Sequence, residues 1–406
     1  MSDAEFDWFV GIDWASREHE VRLLDGQGQD CGRRAVSHSG EGLEALADWL
    51  TEQSAGRPDR VAVAIELTRG PIVDSLLARG FAVFGVNPKQ LDRLRDTYTL
   101  AGAKDDRLDA LVLADTVRTS RSLYRRLKIG DPKLIALRAL IESVEDLETE
   151  ERRLANRLRT ILESYYPQVL AVCPAADEAW VWAVLEKALT PADVRRLTKA
   201  RLAKILREHR IRRLDASDVL RTLREKAIRV APGAAEAAAG QVVLLTARLR
   251  LTHTQRARCA RQMEAALAEL EEDPDGDAAI VRSVPGAGRC VSAALLVDAA
   301  DLLAARDYRK LRSYAGIAPV TRQSGRSRLV VMRRACSTRL REALYHWARC
   351  SVQRSSHFRA MYTAARARGQ SHGRALRGLA DRLLRMLMAM LRSRTLYDPE
   401  KLTAPA

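Results

Sequence analysis

Four carboxylates in the first third of the chain have the types and positions of a site for hard divalent cations. Asp13 lies in FVGIDWAS, where an apolar run breaks into small and polar residues, and Glu66 ends a second apolar run, VAVAIE. Asp106 and Asp109 lie in KDDRLDA, three residues apart, which on a helix puts both on one face. Two strand-end acids and a helical pair can converge on one point. Oxygen-only ligands suit Mg²⁺, and such a centre polarises a phosphate and activates an attacking oxygen. Asp105 competes with Asp106, because Asp105 and Asp109, four residues apart, would also share a face. Any one of these acids alone is more often a surface or helix-capping residue. It is the four together, in this order, that point to a metal centre.

A second set of chemically suggestive residues lies in the C-terminal part. IVRSVPGAGRCVSAALLVD reads as helix, PGAG turn, helix, a helix-hairpin-helix pattern in which Gly286 and Gly288 would let backbone N–H groups approach a phosphate. The plainer reading is a tight interhelical turn. Further on, Ser324-Gly325 follows a proline-containing loop and is flanked by Arg322, Arg326 and Arg328, with Arg333 and Arg334 close behind. A serine hydroxyl among arginines suits attack on phosphorus, the guanidinium groups offsetting the developing charge. On chemistry alone Ser-Gly is more often a turn, and Ser327 and Ser337 would serve equally. None of the seven histidines has a partner at motif spacing. His346 and His357 lie in the basic region and read as structural or solvent-exposed.

The elements that must carry these groups are legible in outline. Residues 9–14, 19–25 and 33–37 read as three strands joined by short turns, followed by a helix capped at Ser39. Residues 61–66 form a buried strand, Pro71 opens a helix ending near Gly80, and residues 82–86 form another strand before the Asn87-Pro88 break. Asp105 or Asp106 would cap the helix carrying LDALVLADTV. Three strands, helix, strand, helix, strand, helix is the order of an RNase H-like fold. Residues 131–275 are helical in pattern, with a long amphipathic or coiled-coil helix from LIALRALIES onward. A second helix over residues 235–271 would return antiparallel to it, and a small helical insertion carrying Trp180 and Trp182 lies between. This region reads either as a plain spacer or as an arm for dimerisation or RNA binding. Residues 276–406 read as a basic helical domain. The expectation is α/β plus all-α, in three parts: 1–130, 131–275 and 276–406.

Composition agrees with a polyanion as partner. The chain has 406 residues and a formal net charge of +16. Between Tyr308 and Leu391 the acids are Glu342 and Asp381 alone, and clustered Lys and Arg favour phosphate backbones through counterion release. The plainer source of such a charge is an Arg-rich chain from a GC-rich genome. The six cysteines form no CxxC pair, which argues against zinc and for reduced thiols in a cytosolic compartment. No signal-peptide pattern opens the chain and no run is apolar for about 18 residues, so no membrane association is expected.

Jointly the motifs resemble the DEDD transposases of bacterial insertion sequences, the bridge-RNA-guided recombinases. GIDWAS, AIELTRG and AKDDRLDA carry the resemblance in the N-terminal part; SVPGAGRCVSAALL, YAGIAPVTRQSGRS and RRACSTRLREALY carry it in the C-terminal part. The resemblance implies a RuvC-like domain, a helical coiled-coil region and a transposase domain. It maps the acidic quartet onto Asp13, Glu66, Asp106 and Asp109 with Mg²⁺. The family pattern K-T-D-x-x-D-A has Asp105 at its Thr position, a departure from the pattern. It selects Ser324, ahead of Ser327 and Ser337, as the nucleophile that forms a phosphoserine link to DNA. It further implies that the acids act on the same phosphate across subunits of a dimer or tetramer. A structured non-coding guide RNA would choose donor and target DNA, and the chain would be cytoplasmic and nucleoid-associated. Two other readings follow from the residues: a RuvC-like junction-resolving nuclease using only the acids, and a non-catalytic nucleic-acid-binding protein.

Overall fold

The computed structural model describes residues 6–88, 91–92, 94–95, 105–325 and 327–400. Arg326 and the Ala103-Lys104 part of the AKDDRLDA motif lie outside them. Contacts divide the chain into two compact units, Met1–Asp131 and Pro132–Ala406.

The first unit is built on a mixed sheet. Strands β1 (Trp8–Asp13), β2 (Glu18–Asp25) and β3 (Asp30–Ser37) form an antiparallel meander, and β4 (Val61–Ile65) and β5 (Ala82–Gly85) extend it parallel to β1. A two-residue strand, β6 (Arg125–Arg126), closes the edge, giving the order β3-β2-β1-β4-β5-β6. The sequence expectation missed β6 and started β3 three residues late, at Arg33. The β3 run DCGRR has little apolar alternation to mark its start.

Both sheet faces are covered. Val10, Ile12, Val63 and Ile65 pack under α1 (Gly40–Gln53) and α2 (Pro71–Ala78). Ser39 caps α1 by accepting from the Gly42 N–H, as its sequence position predicted. The other face is lined by Phe9, Ala62, Ala64 and Ala82 and covered by α3 (Asp106–Ser120) through Val112, Leu113 and Val117. Small residues there let the helix sit low. A Cβ added to Gly11 would stand 1.9 Å from the Ala110 carbonyl oxygen and 2.4 Å from the Ala114 nitrogen.

The second unit is largely helical. Two long helices, α4 (Pro132–Tyr165) and α9 (Ala234–Leu270), pack antiparallel along most of their length. Each is on the order of 50 Å long at 1.5 Å per residue. At one end Leu137 and Ile141 meet Met263 and Leu267; at the other Leu154 and Leu158 meet Leu245 and Leu249. Ion pairs Arg248–Glu150 and Arg256–Glu151 tie the pair between these clusters. Four short helices between them, α5 (Gln168–Val172), α6 (Ala179–Leu185), α7 (Lys199–Glu208) and α8 (Ala216–Leu223), surround buried Trp180 and Trp182.

The basic region follows as α10 (Asp277–Ser283), α11 (Arg289–Asp298), α12 (Ala300–Ala304), α13 (Tyr308–Tyr314), α14 (Thr338–Arg354), α15 (Ser356–Ala367) and α16 (His372–Ser393). These pack through Trp347, Leu344, Leu383 and Leu387. The expected all-α character fails at one place. Strands β7 (Val320–Ser324) and β8 (Ser327–Val331) form an antiparallel hairpin. The helical expectation misses it because VTRQSGRSRLVV shows neither helical spacing nor an apolar alternation strong enough to mark two strands.

Candidate metal centre and nucleic-acid interface

The parallel register of β1 and β4 ends with Ile12 opposite Ile65. One residue further on each chain stand Asp13 and Glu66, on neighbouring tracks about 4.8 Å apart. Side chains alternate faces along a strand. Asp13 therefore shares the face of Gly11, and Glu66 that of Ala64, which is the face α3 covers. On α3, Asp109 directly precedes Ala110, the residue pressed against Gly11, and is 1% exposed. The sheet and helix thus bring Asp13, Glu66 and Asp109 to one end of one face.

Asp106 opens α3 and is exposed, one turn before Asp109. Asp105 has a different task. It is the N-cap of α3, with backbone in the extended region, and its carboxylate accepts from the Arg107 N–H at 3.0 Å. A carboxylate at this position also favours the positive end of the helix dipole.

The sequence reading did not find Arg95. Its guanidinium forks Asp109, Nε to Oδ1 at 2.5 Å and a terminal nitrogen to Oδ2 at 2.6 Å, and reaches Asp92 at 3.2 Å. The bonds to Asp109, followed by the fields of Asp92 and Glu66, hold the Arg95 pKa above its ordinary value. Glu66 and Asp109 thus both lie within the field of the Arg95 guanidinium. The donor set is all carboxylate and its buried member already carries a cation on both oxygens, so these residues fit a hard divalent ion. They are not drawn into a tight cage. Among the described residues, Cys173, Asp177 and Glu178 are the set whose ligand atoms lie within 4.8 Å of one another, and there Glu178 is engaged by Arg213 and Trp180.

Beside Asp13 the chain is fixed by a histidine couple. Buried His19 accepts at Nδ1 from the Ala15 N–H at 3.3 Å, and its Nε2 meets His38 Nδ1 at 3.0 Å. Burial, and then the neighbouring His38, lower the His19 pKa.

In the second unit Ser324 is exposed at the tip of the β7–β8 hairpin, paired in register with Ser327 across the two-residue turn. Gly325 has φ +53°, a left-handed backbone that glycine adopts at least cost. Arg322 and Arg328 are exposed on the two strands and Arg334 just beyond them, and none forms an ion pair among the described residues. Arg333 donates to the Ala318 carbonyl at 3.4 Å. Ser337 is already occupied: its hydroxyl caps α14 by accepting from the Leu340 N–H.

The PGAG turn is used mainly for packing. Gly286 has φ +87° and is buried; a Cβ there would stand 2.7 Å from the Ser351 nitrogen and hydroxyl. The Pro285 carbonyl accepts from Trp347 and Ser351 of α14. Gly288, by contrast, is exposed at the start of α11. His346 is exposed and His357 half-buried. The six cysteines are free thiols, and among the described residues no helix is long and apolar enough to cross a membrane.

Known proteins match this chain in both its N-terminal and C-terminal parts. The DEDD transposase family model of IS110 elements matches residues 10–167, which span the acidic set. The model described as Transposase IS116/IS110/IS902 family matches residues 278–363, which span the PGAG turn and the hairpin. A putative transposase of Sinorhizobium fredii is 42% identical over 198 residues, covering 48% of this chain and 55% of that protein. The mini-circle putative transposase for IS117 of Streptomyces coelicolor is 32% identical over 98% of this chain and 97% of its own length. An uncharacterised protein of the insertion element IS110, also from Streptomyces coelicolor, is 32% identical over 96% and 95% of the two chains. With acids and hairpin serine each inside a matched segment and both full-length Streptomyces relatives aligned nearly end to end, the chain belongs to the IS116/IS110/IS902 family of transposases.

Proposed function

We propose that this chain is a recombinase that excises and inserts DNA of an insertion sequence by strand exchange through a phosphoserine intermediate. The observation that carries the reading is Ser324, exposed beside a glycine at the tip of an arginine-bearing hairpin. Its Oγ–phosphorus bond forms as a phosphorus–oxygen bond to a deoxyribose breaks, and the serine proton ends on the released sugar oxygen. Arg322, Arg326 and Arg328 offset charge on the phosphate. Because the phosphoserine retains the phosphodiester's reactivity, attack by another strand's hydroxyl rejoins DNA and restores the serine.

Asp13, Glu66, Asp106 and Asp109 would hold Mg²⁺, which supplies Lewis-acid charge at phosphate oxygens when bound. In this reading the 1–130 part is RuvC-like, residues 131–275 form a coiled-coil arm, and the 276–406 part grips DNA. Gly288 and Arg333 and Arg334 add backbone contacts, and Gly286 shapes the turn that presents Gly288. The chain works as a homo-oligomer on donor and target DNA, in the bacterial cytoplasm, with a structured guide RNA choosing the sequences. The motifs quoted above and the family membership support this, as does the lack of any base-reading motif such as a zinc finger.

The test is a denaturing gel of protein incubated with labelled element ends and Mg²⁺. The unsubstituted chain is expected to form a covalent protein–DNA adduct, and Ser324→Ala to lose adduct and cleavage while keeping DNA binding. Cleavage retained by Ser324→Ala removes the serine from the mechanism and leaves a metal-dependent nuclease.

A further inference from the structure

Asp109 is nearly sealed from solvent, its side chain 2% exposed, and both of its oxygens are taken by Arg95. A carboxylate offers about four lone-pair positions, and a guanidinium fork uses the two that point outward together. Those are the positions a cation in the cluster would take. Arg95 comes from the helical stretch after β5, not from the sheet or α3, so its guanidinium can move without disturbing either. It has somewhere to go: Asp92, three residues earlier and 66% exposed, already holds one of its nitrogens. Glu66 lies within the field of the same guanidinium.

We infer that Arg95 is the exchangeable counter-cation of the acidic centre, occupying the oxygens of Asp109 until a divalent cation takes them and Arg95 turns to Asp92. This rests on the reading of Asp109 as a metal ligand. A positive charge held against the ligands opposes a second cation, so Arg95 sets how tightly the centre binds metal. It also spares the fold a buried, uncompensated carboxylate.

The experiment measures Mn²⁺ binding to the full chain, by the paramagnetic resonance signal of free Mn²⁺, together with thermal melting with and without Mn²⁺. Arg95→Gln is expected to bind Mn²⁺ about tenfold more tightly, within the range by which groups around a metal site tune affinity. It should melt lower than the unsubstituted chain without Mn²⁺ and gain more on Mn²⁺ addition. Arg95→Lys, which keeps charge without the fork, is expected to bind more tightly by a smaller factor, and it carries the test if Arg95→Gln does not fold. Asp109→Asn should lose the binding. Unchanged or weaker affinity in both Arg95 variants, with binding still dependent on Asp109, overturns this inference and leaves the metal centre standing; weaker affinity would make Arg95 a positioning residue. Mn²⁺ binding that is absent from the unsubstituted chain, or indifferent to Asp109→Asn, removes both.

Discussion

Asp105 and Asp106 are adjacent carboxylates with different surroundings, and that difference predicts different consequences of replacing them. Asp105 satisfies an N–H at the start of α3, a bond worth about 1 kcal/mol when lost to alanine. Asp105→Ser keeps a capping oxygen, so its stability in urea and its DNA cleavage should stay close to those of the unsubstituted chain. Asp105→Ala should lose about 1 kcal/mol, and Asp106→Asn should lose cleavage with little change in stability. If Asp105→Ser loses cleavage and Asp106→Asn keeps it, the two roles are exchanged. A second residue-scale consequence concerns pH. Burial holds the His19 pKa below the ordinary histidine value of about 6.5. The unfolded chain therefore takes up a proton near pH 6.5 that the folded chain does not, and stability falls as pH drops below that point. Melting between pH 7.5 and 5 should show a steeper loss for the unsubstituted chain than for His19→Gln; parallel curves would mean that His19 does not carry the dependence. At this scale the placement of the four acids, two at strand ends and two on one helix, was legible from the sequence because strand-end position and i, i+3 spacing are local. Arg95 and the His19–His38 couple were not, because their partners lie 14 and 19 residues away across a tertiary contact.

At the scale of elements, the acidic centre depends on how closely α3 approaches β1. Gly11 makes that approach possible, and a methyl group there meets backbone atoms of α3 rather than a side chain that can turn aside. Gly11→Ala should destabilise the chain by about 2 kcal/mol or more, within the range for overpacked cores. Gly26→Ala, in the β2–β3 turn with open space around it, should change stability by no more than about 0.5 kcal/mol. Urea titrations of the two variants make the comparison, and similar midpoints would mean that α3 can shift without cost. The GID motif pointed to Asp13 as the functional residue. It did not show that the glycine two residues earlier is what seats the opposing helix. Helices α1 and α3 and the antiparallel pair α4 and α9 were readable because each buries one face at a regular period, and the central strands because, buried on both faces, they are short apolar runs. The β7–β8 hairpin was not, because its strands are exposed almost throughout. With no buried face there is no apolar pattern to read, and the Ser-Gly turn was the one visible trace.

At the scale of the whole molecule the net charge of +16 does not say where a polyanion binds, but the distribution of acids narrows the choice. On α4 and α9 about half of the arginines are answered by acids, as in Arg248–Glu150 and Arg256–Glu151, and Arg152 and Arg153 directly follow Glu150 and Glu151 in the chain. In the C-terminal stretch Asp381 accepts from Tyr308 and is paired with Arg312, so it neutralises little of the hairpin's charge. Arg322 and Arg328 stand exposed without ion pairs among the described residues, in a stretch of chain nearly free of acids, where their charge is left to attract a phosphate. Each phosphate contact on duplex DNA contributes about 0.9 to the slope of log affinity against log salt. Replacing Arg322 and Arg328 together by alanine should therefore flatten the slope by about 1.8, measured by fluorescence anisotropy on one duplex across a salt series. The pair Arg152 and Arg153, exposed on α4, is the counterpart, and its replacement should leave the slope unchanged. If the slope flattens only when Arg152 and Arg153 are removed, DNA lies along the long helices, and the hairpin's arginines serve the reacting phosphate rather than affinity.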